Sequence, residues 1–103
     1  WALGLTDTLA PGDPCPDDFA ERLPDLGGDD DPAEIGQRGA LRPATGLLVT
    51  LDGYYALHWS CNQVALDGGA IESVERDTVI ARRRALEWLF DPDDDWYGLA
   101  LDT

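Results

Sequence analysis

The sequence predicts a mainly α protein, a small helical bundle built on a long central helix. Three observations predict it. One stretch of some two dozen residues keeps apolar side chains at three- and four-residue spacing. Proline, glycine and aspartate punctuate the remainder, and no alternating strand of convincing length occurs.

The 103 residues leave room for one domain, residues 1–103. Hydrophobic residues make up 44%, too many for a disordered chain, and four Trp and three Tyr supply rigid pieces for a thin core. The N-terminal residues 1–9 carry Trp1, Leu3, Leu5 and Leu9 without a break before Pro11, and read as the tail of a helix or an apolar edge. Residues 10–16 hold three prolines, a glycine and Cys15, which is loop chemistry. Asp17 and Asp18 then offer caps for a short helix with Phe19, Ala20 and Leu23, stopped by Pro24. Asp31 is placed to cap a second short helix with Pro32 in its first position, over residues 33–41, weakened by Gly36 and Gly39.

The central helix is expected from about Pro43 to Leu66. Leu47, Leu51, Tyr54, His58, Cys61 and Ala65 form one apolar row. Leu48, Tyr55, Trp59 and Leu66 form a second beside it, which predicts a helix packed on more than one side. Asp67-Gly68-Gly69 ends it. A last helix is expected from Asp77 as N-cap to about Phe90, with Val79, Ile80, Leu86, Trp88, Leu89 and Phe90 giving it a broad apolar face. An aromatic tail with Trp96 and Tyr97 follows.

Charge is the unusual quantity. Sixteen Asp and five Glu against seven Arg and no Lys leave −14. Such a surface repels bare nucleic acid and anionic membrane and attracts a basic protein. No apolar run is long enough to span a bilayer. Two well-separated cysteines, Cys15 and Cys61, fit either a single disulfide or free thiols; a cytoplasmic chain with reduced thiols is the expectation.

No chemistry-bearing set stands out. His58 is the only histidine and shares a helix face with Tyr54 and Cys61. A thiolate pair or two metal ligands would need that spacing, but no further His or Cys completes a site. A packed histidine bonded to backbone or an Asp is the expectation. The segment Asp91-Pro92-Asp93-Asp94-Asp95-Trp96 opens like a calcium loop, yet Trp96 stands where the loop needs Gly and Asp102 where it needs Glu. Arg82-Arg83-Arg84 fans around a helix axis, so ion pairing with nearby carboxylates is expected in place of one anion patch.

The run Tyr54-Tyr55-Ala56-Leu57-His58-Trp59, then Arg82-Arg83-Arg84-Ala85-Leu86-Glu87-Trp88-Leu89, then Asp95-Trp96 and the closing Asp102-Thr103, resembles the C-terminal half of the bacterial domain-of-unknown-function family 4272. The opening Trp1-Ala2-Leu3-Gly4-Leu5 is similar to that family's middle helix, before its Pro-rich loop. The resemblance implies a helical fold, no established activity and no catalytic residues to carry over. The absence of the family's upstream helices implies a truncated or shortened member.

Two functional classes are open. The first is a non-enzymatic interaction module, an accessory subunit or an immunity-type inhibitor. It would dock on a basic or apolar protein surface through its acidic loops or its N-terminal apolar edge. Its candidate binding residues are Tyr54, Tyr55, His58, Trp59, Arg83, Trp88 and Trp96, with no cofactor, metal, nucleic acid or membrane. The second is a small enzyme or metal-binding domain centred on His58 with Tyr54 and Cys61.

Overall fold

The computed structural model describes residues 1–91 and 95–102. The described residues are helical and contain no strand. The backbone gathers into two compact units, Trp1–Pro43 and Ala44–Thr103.

In the first unit the helical pieces are short. Residues Phe19–Arg22 form one 3₁₀ turn, and Pro32–Glu34 form another that leads directly into α1 (Ile35–Arg38). Asp31 caps as expected, its Oδ1 accepting from the Ala33 amide at 3.0 Å with Pro32 in the first turn. Asp18 stands at the N-cap of the first turn but makes no cap bond; its carboxylate receives Arg22 Nη2 at 3.1 and 3.2 Å. The second helix stops at Arg38, well short of residue 41, because Gly39 is extended. A Cβ at Gly39 would stand 2.5 Å from the Leu3 carbonyl oxygen, so only glycine fits.

The expected helix tail over residues 1–9 does not form. Gly4 turns at φ +74°, its amide bonded to the Trp1 carbonyl. The backbone is then claimed by a different partner, with Ala40 N donating to Leu3 O and Arg42 N to Ala2 O. Trp1, Leu3 and Leu5 are half-buried, and the Arg42 guanidinium lies 4.6 Å above the Trp1 ring, so this is a pinned segment and no open apolar edge.

The second unit is a helix pair. α2 (Ala44–Leu66) carries the first apolar row inward, and Leu47, Tyr54, His58 and Cys61 are buried. α3 (Arg76–Phe90) answers with Val79, Arg83 and Leu86. Val79 is fully enclosed, the best-packed side chain of the core. α3 begins two residues earlier than expected: the N-cap position is Glu75, in extended conformation, and Asp77 sits inside the first turn, where its charge still favours the helix dipole.

The second row of α2 behaves differently from its prediction. Leu48 is 50% exposed, Tyr55 44%, Trp59 49% and Leu66 80%. Helical spacing placed these residues on one face correctly, but spacing does not say what a face meets.

Candidate functional site

Arg83 is the organising residue of the second unit. It is 2% exposed, a buried cation that must find a partner for each donor. All five of its N–H groups find one. Nε and Nη2 both donate to Glu87 Oε1, at 3.3 and 3.2 Å, one turn along α3. Nη1 reaches His58 Nδ1 at 2.8 Å on α2 and the Leu101 carbonyl at 3.2 Å. The second Nη2 hydrogen goes to the Asp102 carbonyl at 3.0 Å. The flat guanidinium also lies over the Tyr55 ring, 4.5 Å from its centroid. One side chain therefore ties together α3, α2 and the C-terminal tail.

This contact fixes the state of His58. Arginine has no acceptor, so Nδ1 must accept, and the neutral ring then carries its proton on Nε2. Burial, then the charges of Arg83 and Arg76, push the His58 pKa below its ordinary value of 6.5. Neither ring nitrogen offers a lone pair for a metal or for proton abstraction while this bond stands. The packed histidine was expected, but its partner is an arginine and not a backbone group or an Asp.

The Arg fan also appears as the helix geometry requires, and the expected ion pairing is seen at Arg83. Arg82 Nη1 donates to the Tyr54 hydroxyl at 3.1 Å, and Arg83 pairs with Glu87. Arg84 lines a shallow groove of about 290 Å³ with Asp77, Ile80, Ala81 and Trp96, its Nε buried without a hydrogen-bond partner.

Of the residues singled out from sequence, Tyr55, His58 and Arg83 come together in this cluster, while Tyr54 is bonded to Arg82. Trp59 points outward on the exposed row. Trp88 and Trp96 form an edge-to-face pair with centroids 6.3 Å apart, beside the cluster's helix but outside its bonds. Cys61 is buried and Cys15 exposed, both as free thiols. Sequence reasoning missed Glu87 and the two tail carbonyls. Glu87 lies four residues after Arg83, a spacing that signals an ion pair on any helix; main-chain acceptors leave no signal at all. The calcium-like segment lies partly outside the described residues. Among the described residues, no three His, Cys, Asp or Glu side chains gather around a point suited to a metal ion.

The chain matches the family model for a domain of unknown function (DUF4272) over residues 1–99. It belongs to that family. No curated protein and no solved structure matches it. The DUF4272 match spans both units and takes in the two helical motifs whose side chains build the Arg83 cluster. The opening residues that resemble a helix of DUF4272 are the pinned, non-helical segment described above.

Proposed function

We propose that this DUF4272 member is a non-enzymatic, acidic protein–protein interaction module that docks on a basic partner. It would serve as an accessory subunit or an immunity-type inhibitor acting in the cytoplasm. The observation that carries it is the charge balance, twenty-one Asp and Glu against seven Arg. Arg42 is turned onto the main-chain carbonyls of Trp1 and Thr6, Arg76 onto Asn62, and Arg82 onto a tyrosine hydroxyl. Arg22 pairs with Asp18, Arg38 with Asp30 and Glu34, and Arg83 with Glu87. The formal charge of −14 already counts all seven arginines, and its field is available to steer a cationic surface. No helix among the described residues is long and apolar enough to cross a membrane.

A tagged full chain is expected to retain a basic protein from a host lysate at low ionic strength and release it as salt is raised. Asp→Asn changes at the exposed Asp17 and Asp29 should weaken retention without altering the helical signal. If nothing basic is held at low salt, or if release ignores salt, the proposal fails.

A further inference from the structure

We propose that the exposed row of α2 is a self-association face, and that its occupant is α2 of a second copy of this chain, packed antiparallel. The inference rests on the reading of the protein as an interaction module and names the occupant of one of its faces; the acidic loops remain for the basic partner.

The row consists of Leu48, Tyr55, Trp59 and Leu66, spaced seven, four and seven residues apart. It runs for about 27 Å along α2 at 1.5 Å per residue. This is the seam spacing of helices that pack side by side. The spacing is also symmetric about residue 57. A two-fold axis there sets Leu48 against Leu66 of the second copy and Tyr55 against Trp59 of the second copy, which is the self-complementarity an isologous interface requires.

The polar residues on the same line choose the orientation. Asp52 and Asn62 fall within it at the remaining seam positions, and they too are equidistant from residue 57. A parallel pair would press two Asp52 carboxylates together in an apolar seam, an arrangement that like-charge repulsion opposes. The antiparallel pair brings each Asp52 to Asn62 of the second copy. Arg76, exposed at the start of α3, holds that asparagine through Nε to Oδ1 at 2.8 Å. Each carboxylate thus arrives beside a guanidinium, and symmetry repeats the pair twice. Tyr55 is held from behind by the buried Arg83, so one of the aromatic contacts is preorganised.

Sedimentation equilibrium of the full chain tests this. Twice the chain mass is expected at high concentration. Because both copies are acidic, the dimer should strengthen as salt rises, opposite to the salt response of basic-partner binding. Trp59→Ala should raise the dimer dissociation constant about thirtyfold or more. Asp52→Arg alone should raise it about tenfold, and Asp52→Arg with Arg76→Asp should restore it. All these positions are solvent-facing, and circular dichroism verifies that each variant keeps its helices. A monomer at every concentration and salt overturns the self-association while leaving the basic-partner proposal standing. A dimer indifferent to Asp52→Arg, or one not rescued by the double change, overturns the antiparallel α2 seam. A salt-released basic partner with no dimer, and a dimer with no basic partner, are distinct results.

Discussion

The two units are held by different means. Trp1–Pro43 buries almost nothing: of its described residues only Pro24 is buried. Its order comes from polar bonds, namely the Asp31 cap, Asp30 receiving the Asp25 amide at 2.7 Å, and arginines clamped on main-chain carbonyls. Ala44–Thr103 rests on apolar packing between two long helices around Val79 and Leu86. Yet both use the same fastening for a terminal segment. Arg22 and Arg42 take the carbonyls of Leu5, Trp1 and Thr6, while Arg83 takes those of Leu101 and Asp102. The difference is solvent. The first two guanidiniums are half-exposed and the third is buried, so the same bonds are worth more in the second unit.

The largest break in this comparison is Arg83→Met. It strands two carbonyls, His58 Nδ1 and the Glu87 carboxylate together, and should destabilise the second unit by about 3–5 kcal/mol. Hydrogen exchange should show the α2–α3 amides losing protection while those of residues 1–43 keep theirs; equal losses in both units would contradict separate fastening.

A smaller effect concerns one bond of the five. The folded state holds His58 below its ordinary pKa of 6.5, so the unfolded chain binds the extra proton first as pH falls. The His58 contribution is therefore complete above pH 6.5 and lost as pH drops below it toward the carboxylate range. His58→Gln keeps an acceptor for Arg83 and should flatten this part of the stability profile, measured as the urea midpoint against pH. A slope unchanged by the substitution would assign the pH dependence to another group.

The smallest effect belongs to the first unit. Asp31→Ala removes one cap and should cost about 1 kcal/mol, read as faster exchange of the Ala33 amide with the α2–α3 amides unaffected.

The contrast also explains what the sequence made visible. The long helix was legible almost to the residue, because Leu47, Tyr54, His58 and Cys61 repeat with the helical period and Gly68 stops it. The pairing of Asp31 with Pro32 was legible for the same reason: cap chemistry is local. Residues 1–9 were misjudged because their conformation is set by hydrogen bonds to residues 40 and 42, far along the chain. The outward face of α2 was misjudged because a periodic row records a face and not its neighbour. In the cluster, His58 and Arg83 were both named from sequence, but their contact joins residues 25 positions apart, and the other four of Arg83's five bonds go to Glu87 and to the two tail carbonyls, which the sequence reading did not name as partners.

The Arg83 clamp divides mutational freedom unevenly between its two ends. On the tail side it grips peptide oxygens, which every amino acid supplies, so the identities at positions 101 and 102 are open to drift without loosening the hold. On the helix side it demands a planar fork with five donors, and lysine, with a single ammonium on a flexible stem, cannot reach three directions at once. A single codon thus answers for the polar anchoring of residues 101 and 102, while those residues remain free to change.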